Sequence, residues 1–266
     1  MRVGKENAPY SAISTADKHS ITVRGKDLST ELIGEVGFTD YFYFLVTGQL
    51  PTDDQRFFTD AVLVAIAEHG LVPSNQAARM TLAAAPDALQ GAVAAGSLGC
   101  GSVVLGSTEA SGRFLSELVA KAKATGQAFE DVARVALRDM HTGKRPVPGY
   151  GHPQHSSGDP RTERLLSLAT SRKIIGDHIT MLVAVAKVIP EIYGRTLPIN
   201  VSGAIPAVML DVGFPLAALK GIPILARTAG LIGHLHEELQ RPIGFILSHH
   251  AAEAITYDGP VAHPGS

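Results

Sequence analysis

The sequence predicts an all-α fold with a small β element near the N-terminus, and two observations lead to this class. Apolar residues recur at helical spacing in several long segments, and the connections between them are short and rich in Gly and Pro. The alternation of apolar and polar residues that marks a strand is scarce. Helical segments joined by short turns bury their apolar stripes against one another.

Each predicted helix has an apolar stripe and a residue that ends it. In the first of them, Phe57, Ala61, Val64 and Ala65 share one face. The predicted helices occupy residues 53–69, 108–125, 129–142, 174–189 and 223–239; the first three end at glycines and the fourth at Pro190. The segment 205–226 is the most apolar run of the chain, although Pro, Gly, Asp and Lys interrupt it, and it predicts core helices. The best strand signal is Ile21 and Val23 before a turn at Gly25.

Composition limits the class of protein. Of 266 residues, 45% are hydrophobic and 18% charged, which excludes a disordered chain, and the net charge of −2 calls for neither nucleic acid nor an anionic membrane. With no signal-like start and no window of about 18 uninterrupted apolar residues, we expect a cytoplasmic protein. Cys100 is the single cysteine, so no intrachain disulfide forms; we expect a small buried hydrophobe.

The segment PGYGHPQHSSGDPR, residues 148–161, is the strongest candidate for a site. Its glycines permit close backbone approach and its prolines stiffen the path. His152 offers an imidazole for hydrogen bonding or proton transfer, and Arg161 can clamp a carboxylate with two parallel hydrogen bonds. By composition alone, an ordinary surface turn is the alternative.

Arg227 lies in an apolar helical segment, where a guanidinium is costly unless it is paired. Either a buried acid or an anionic ligand is expected to pair with it. His234 and His236 follow, but residues two apart do not share a helical face, so we expect no metal site. The sequence also lacks a phosphate-binding GxxxxGK loop, a GxGxxG after a strand and a GxSxG.

Four motifs together resemble the citrate synthase superfamily, and most closely the stand-alone citryl-CoA lyases and the C-terminal lyase region of ATP-citrate lyase. They occur in family order, from about residue 11 to the end of the chain. The motifs are ITVRGKDLSTELIGEVGFTDYFYFLVTGQLPT, PGYGHPQHSSGDPR, LPINVSGAIPAVMLDVG and ARTAGLIGHLHEEL.

The resemblance implies a citrate synthase-like fold. A large helical domain would comprise residues 1–107 and 216–266, and a smaller helical domain, residues 108–215, would be inserted into it. The active site would lie in the cleft of an obligate homodimer. The implied reaction is carbon–carbon bond cleavage of citryl-CoA, or a close analogue, to acetyl-CoA and oxaloacetate. The CoA ester is a substrate, and no metal is implied.

The resemblance also assigns roles to individual residues. His152 matches the histidine that bonds the oxaloacetate carbonyl or citryl hydroxyl oxygen, Arg161 and Arg227 match carboxylate-binding arginines, and His234 is placed with them as a substrate-binding residue. The residues implied to bind CoA are Pro146, Val147, Gly149, Arg195 and Asn200.

One departure affects the mechanism, because the family's catalytic aspartate in NVD is Ser202 here. A hydroxyl can donate a hydrogen bond or position a group, but it is no carboxylate base. Family histidines expected near Val104 and near Gln76 and Ala77 are also absent. Three explanations remain open: a lyase with another proton acceptor (the substrate itself, His234, Glu237 or Asp211), an enzyme for a different acyl-CoA and 2-oxo acid pair, or a non-catalytic acyl-CoA-binding homologue.

Overall fold

The computed structural model describes residues 10–101, 107–151 and 158–260, and most of them are helical, which confirms the predicted class. His152 lies outside the described residues. The helices are α1 (Phe38–Thr47), α2 (Asp53–Ala67), α3 (Pro73–Ala84), α4 (Leu89–Leu98), α5 (Ser107–Thr125), α6 (Phe129–Thr142), α7 (Pro160–Ser171), α8 (Asp177–Tyr193), α9 (Val201–Asp211), α10 (Gly221–Gln240) and α11 (Gly244–Ala254).

A small antiparallel sheet precedes the helices, as the strand signal predicted. Its strands are β1 (Ser14–Ala16), β2 (Ile21–Val23) and β3 (Lys26–Asp27), in the order β1-β2-β3. Between β2 and β3, Arg24 and Gly25 form a two-residue turn with φ of 49° and 86°, which matches the twist of a hairpin. Val23 is buried and packs with Leu32 and Phe44, so the sheet contacts the apolar core through this residue.

The five predicted helices are α2, α5, α6, α8 and α10. Helix α2 ends at Ala67 rather than at residue 69, and α8 begins at Asp177 rather than at residue 174. Helix α8 continues past Pro190 to Tyr193 and ends at Gly194, whose φ is 66°. Pro190 lies in the last turn, so its missing N–H removes a single helical bond, while its carbonyl still accepts the Gly194 N–H at 3.1 Å. The glycine, not the proline, therefore ends this helix.

The chain divides into two compact units. One comprises Met1–Val62 and Glu109–Leu219, and its core includes Met181, Leu182 and Ile189, which are fully buried on α8. The other comprises Leu63–Thr108 and Lys220–Ser266. The predicted domains, residues 1–107 with 216–266 and residues 108–215, stay a prediction.

The second unit is built on α3, α4, α10 and α11. Ala78, Leu82, Ala92, Leu231 and Leu235 form its buried cluster. By length and composition alone, the segment Leu216–Gln240 is apolar enough to cross a membrane, although core helices pass the same test. Within this segment α10 packs against α3 and α4 and buries an arginine, which is the behaviour of a core helix.

Candidate functional site

The central motif lies against the segment that leads into α9. The Gly151 N–H donates to the Pro198 carbonyl at 2.8 Å, and the Asn200 N–H donates to the Gly149 carbonyl at 3.0 Å. The Asn200 side chain adds a bond from Nδ2 to the Gly151 carbonyl at 2.7 Å. Two of the motifs, about fifty residues apart, are thus joined by their backbones.

Two glycines allow this close approach. A Cβ on Gly203 would lie 2.6 Å from the Gly149 carbonyl oxygen, and a Cβ on Gly149 would lie 2.8 Å from the Gly203 Cα and 2.5 Å from Ser111 Oγ. Gly149 also has φ of 87°, which L-residues rarely adopt. Both positions therefore require glycine, and Gly149 was predicted to bind CoA.

We expect Gly203→Ala to push the 146–151 run off α9. The overlap with the Gly149 carbonyl costs about 1–3 kcal/mol of stability, as overpacking typically does, and it displaces the backbone proposed to hold CoA. Gly221→Ala is the matched control, because a Cβ there meets nothing within 4 Å. Urea denaturation and calorimetry with CoA measure both effects; equal behaviour of the two variants would contradict the close-approach argument.

Asp159 and Arg161 form a bidentate ion pair at the start of α7. Arg161 Nε lies 3.0 Å from Asp159 Oδ1, and Nη2 lies 2.9 Å from Oδ2. Asp159 is buried and also caps α7 by accepting the Arg161 N–H at 3.1 Å. Because one edge of the guanidinium is held by Asp159, the Nη1/Nη2 edge is the part of Arg161 that can meet a ligand.

The Asp159 carboxylate also holds the first N–H of α9. Oδ2 accepts from the Val201 N–H at 3.1 Å. Burial raises the pKa of Asp159, but the hydrogen bonds and charge of Arg161 and the N–H groups of Arg161 and Val201 outweigh it, so the pKa lies below its ordinary value. Asp159 is therefore an ionised anchor between α7 and α9 and a poor proton acceptor.

Ser202 occupies the second position of α9. The N–H groups on either side of it are taken, that of Val201 by Asp159 and that of Gly203 by the Asn200 side chain at 3.2 Å. Within residues 10–101, 107–151 and 158–260, the Ser202 N–H and hydroxyl make no hydrogen bond. Ser202 thus offers two donors at the positive end of a helix.

The other residues predicted to bind CoA lie on or near the same loop pair. Pro146 is exposed, Val147 is buried, and Arg195 is exposed beyond the end of α8. The structure thus brings Val147, Gly149, Asn200 and Ser202 together; the roles of all these residues stay predictions.

Arg227 is buried in the second unit and is held by polar groups of its own unit. Nη1 donates to Asn75 Oδ1 at 3.1 Å, and Nη2 lies 3.4 Å from the Ile66 carbonyl.

Cys100, which was predicted to be buried, is half-buried instead. It lies just beyond the end of α4. Burial raises the pKa of the Cys100 thiol, and the charge of Arg227 offsets part of this.

His234 uses both ring nitrogens inside the second unit. Nε2 lies 2.9 Å from Glu68 Oε2 and 2.8 Å from Asn75 Nδ2, and Nδ1 lies 3.3 Å from Arg79 Nη1. The substrate-binding role of His234 stays a prediction.

Arg79 and Glu238 form the most deeply buried ion pair of this unit. Arg79 Nε lies 2.6 Å from Glu238 Oε2, with the two side chains 3% and 2% exposed. The other carboxylate oxygen accepts the N–H groups of Ile243 and Gly244, at 2.9 and 2.8 Å, where α11 begins. Arg79 also binds the half-exposed Glu237 at 2.8 Å. The pair therefore joins α3, α10 and α11.

The residues suggested as alternative proton acceptors are engaged elsewhere. Asp211 accepts the N–H groups of Gly176, His178 and Ile179 and lies 2.9 Å from His178 Nδ1, so it caps α8. Arg79 lowers the pKa of Glu237, which makes it a weaker base. Among the described residues, no group of three or more His, Cys, Asp or Glu side chains could hold a metal ion.

Sequence reasoning missed the residues that surround Arg227 and His234. Asn75, Glu68 and Arg79 carry no motif of their own. His69 was also missed. Its N–H donates to Glu68 Oε1 at 2.8 Å, so it lies in the same turn, whereas the family resemblance led us to expect a histidine near Gln76 and Ala77. The polar cluster just after the apolar α2 was the available signal.

Comparison with protein families gives a match to the model described as "Citrate synthase, C-terminal domain" over residues 55–244. Comparison with curated proteins gives no match. Among solved structures, the citryl-CoA lyase from Hydrogenobacter thermophilus is 31% identical with a TM-score of 0.84, and the match covers 100% of this chain and 98% of that chain.

More distant structures share the fold. The ATP citrate lyase from Methanothrix soehngenii, solved in complex with citrate and coenzyme A, is 24% identical with a TM-score of 0.75. That match covers 97% of this chain but only 43% of the other. The citrate synthase from Thermotoga maritima is 18% identical with a TM-score of 0.64, over 87% of this chain and 59% of that one.

Proposed function

The chain belongs to the citrate synthase family, and we propose that within this family it is a carbon–carbon lyase that cleaves citryl-CoA, or a close analogue, to acetyl-CoA and oxaloacetate. The family and the fold agree with those that the motifs predicted. One observation carries the finer proposal: the likeness to a citryl-CoA lyase extends over essentially the whole of both chains. The coarser conclusion, a CoA-ester lyase of this family, rests on the same match.

The reaction makes three demands on the protein. A base removes the proton of the tertiary hydroxyl, the carbon–carbon bond breaks as the ketone of oxaloacetate forms, and the bond's electrons pass to the thioester oxygen. The resulting enolate is protonated on carbon to give acetyl-CoA. We assign the removal of the hydroxyl proton to His152, because an imidazole transfers protons near neutral pH. Arg161 and Arg227 bind substrate carboxylates, and His234 supports Arg227 through Asn75.

Ser202 is the second residue proposed to act in catalysis. Its N–H and hydroxyl lie at the N-terminus of α9, where the helix dipole favours negative charge. This end of α9 is thus suited to receive the enolate oxygen, since preorganised donors stabilise a charge that develops during reaction. The hydroxyl is a weak acid, so protonation of the enolate carbon has no efficient donor there. We therefore expect a slow enzyme rather than an inactive one.

CoA binding is assigned to the joined loops. Pro146, Val147 and Gly149 provide a backbone run for the adenine, and Asn200 fixes that run through Gly151. Arg195 is exposed and is proposed to meet a CoA phosphate. The CoA ester is the substrate, and we assign no metal to the reaction.

Two further proposals concern assembly and location. Helix α10 exposes Ile232 and Leu239, and α4 exposes Leu98 at 86%; these are apolar side chains that a second copy of the chain would cover. We propose a homodimer, which light scattering distinguishes from the 27.9 kDa monomer. A cytoplasmic location, with neither nucleic acid nor membrane as partner, completes the proposal.

The proposed activity is tested with citryl-CoA itself. Pure protein is incubated with citryl-CoA, and oxaloacetate is followed through malate dehydrogenase and NADH. We expect cleavage that exceeds that of a His152→Ala variant. Cleavage no faster than that variant's would exclude the lyase. Two alternatives would then remain, both suggested by Ser202: an enzyme for another acyl-CoA and 2-oxo acid pair, or a non-catalytic acyl-CoA-binding protein. Calorimetry and product analysis with a panel of acyl-CoAs distinguish them.

Restoring the acid at position 202 tests the reason for the slow rate. We expect Ser202→Asp to raise citryl-CoA cleavage at least about tenfold, because general acid–base catalysis contributes about 10²–10⁴-fold. Ser202→Asn, which has a similar size but cannot transfer a proton, is the control and should not raise the rate. A clear loss of activity in Ser202→Asp would indicate that the hydroxyl itself contacts a different substrate.

A further inference from the structure

We propose that Asn75 is a positioning residue, which orients Arg227 for a carboxylate of the substrate without placing a negative charge beside it. The inference deepens the proposed function and rests on it, since Arg227 is assigned there to a substrate carboxylate. Neither the motifs nor the sequence comparisons point to Asn75. Its role follows from the contacts of a single buried amide.

The orientation of the Asn75 amide is fixed from both ends. Asn75 is fully buried in the first turn of α3. Its Oδ1 accepts from Arg227 Nη1 at 3.1 Å, and its Nδ2 donates to the Gly70 carbonyl at 2.6 Å. A flipped amide would place NH2 against the guanidinium and its own oxygen against the Gly70 carbonyl oxygen, so the contacts with Arg227 and Gly70 fix the orientation.

The contact between Asn75 and Arg227 is between a neutral group and a cation. An amide oxygen directs the guanidinium through its dipole and adds no charge. A carboxylate at the same place would form an ion pair with Arg227 and so offset the attraction that an anionic ligand meets. An asparagine here orients the arginine and adds no negative charge beside it.

The same amide connects Arg227 to the turn after α2. Its Nδ2 also lies 2.8 Å from His234 Nε2 and 3.3 Å from Glu68 Oε1. The Glu68 carboxylate in turn binds His234 and the N–H groups of its own turn. Arg227 and His234, seven residues apart on α10, therefore share one partner on α3. Movement of Asn75 would release both.

The first test measures citrate binding by calorimetry at neutral pH. For Asn75→Ala, which removes the orienting oxygen, we expect affinity to fall several-fold. Asn75→Asp adds a negative charge in a side chain of the same size and shape. We expect it to lower citrate affinity by more, about 30-fold or more, since close charge pairs contribute about 2 kcal/mol or more. In turnover, Asn75→Asp should raise KM far more than it lowers kcat.

Gln76→Glu is the matched control. It makes the same amide-to-acid change one residue along α3, where the side chain bonds the Leu71 carbonyl at the surface. Its citrate affinity should stay within about twofold of the native protein, because an exposed charge is screened by solvent. CoA affinity should be unchanged in every variant. Native-like citrate binding by Asn75→Asp, or a greater loss in Asn75→Ala, would overturn the proposal.

A second measurement does not depend on the proposed function. Guanidinium nitrogen NMR signals of Arg227, assigned by their loss in Arg227→Lys, report how firmly the group is held. We expect separate Nη signals in the native protein and averaged ones in Asn75→Ala. If the native protein binds no citrate, the proposed function fails, and this spectrum alone decides the role of Asn75: identical spectra would exclude it, and averaging in the variant would support it.

Discussion

We expect Arg227→Gln to lower kcat/KM for citryl-CoA by about 10²- to 10³-fold, because it removes the cation proposed to pair with a substrate carboxylate, and loss of one partner of such a desolvated pair costs about 2–5 kcal/mol. The guanidinium is buried beside Asn75 and the Ile66 carbonyl, so water cannot replace it. Arg227→Lys keeps the charge but loses the planar guanidinium, so its kcat/KM should lie between those of the native protein and Arg227→Gln. Steady-state kinetics with citryl-CoA give the values.

Arg113→Gln provides the control for this substitution. Arg113 is exposed on α5, and among the described residues its ion pair is with Glu109, four residues before it. The same change of side chain should therefore leave kcat/KM within about twofold of the native value. Circular dichroism verifies that Arg227→Gln is folded at the assay temperature. A folded Arg227→Gln with native kinetics would remove Arg227 from the substrate site.

Glu238→Gln should destabilise the protein by about 3–5 kcal/mol, because it removes the buried ionic partner of Arg79 and leaves the half-exposed Glu237 to pair with it. The pair has a separation of 2.6 Å and almost no exposure, and the same carboxylate caps α11. Glu237→Gln is the matched control: it removes the half-exposed carboxylate of the same arginine and should cost about 1 kcal/mol or less. Urea midpoints measure both, and equal losses would contradict the assigned difference in burial.

The effect of Glu238 also has a defined pH dependence. Burial raises its pKa, but Arg79 and the Gly244 and Ile243 N–H groups outweigh this, so the folded pKa lies below the ordinary 4.5. A carboxyl group whose pKa is lowered by folding stabilises the protein fully above the unfolded pKa and loses that contribution as pH falls through the folded one. The stability gap between native protein and Glu238→Gln should therefore be constant near neutral pH and shrink below about pH 4.5.

Helical periodicity predicted those helices whose stripe and end are both local features of the sequence. Helices α2, α5 and α6 have apolar stripes that end at Gly or a short turn, and the structure confirms them. Helices α1, α3, α4, α7 and α11 were not assigned individually. In α4, small residues such as Gly91 and Gly96 weaken the pattern, yet Gly96 is required where α4 contacts Leu231. Tertiary packing, which local propensity does not record, stabilises such helices.

In the candidate site too, residues in local motifs could be predicted from the sequence, whereas partners distant along the chain could not. Motifs identified Arg161, Gly149 and Asn200, whose roles depend on short segments of backbone. The partners of Arg227 and His234 could not be predicted, because Asn75 and Arg79 lie more than 150 residues away along the chain. A buried polar residue without a motif gives no sign of which distant group it will meet. Asn75 became a candidate only when the contacts of its amide were known.

The most direct test of the account is a crystal structure of the protein with citrate and CoA bound. We expect a carboxylate against the Nη1/Nη2 edge of Arg161, the adenine against Val147 and Gly149, and the thiol end of CoA directed towards Ser202. Clear density for both ligands at another place, with no ligand at the Nη1/Nη2 edge of Arg161 or along residues 146–149, would contradict the proposed site and the lyase mechanism built on it.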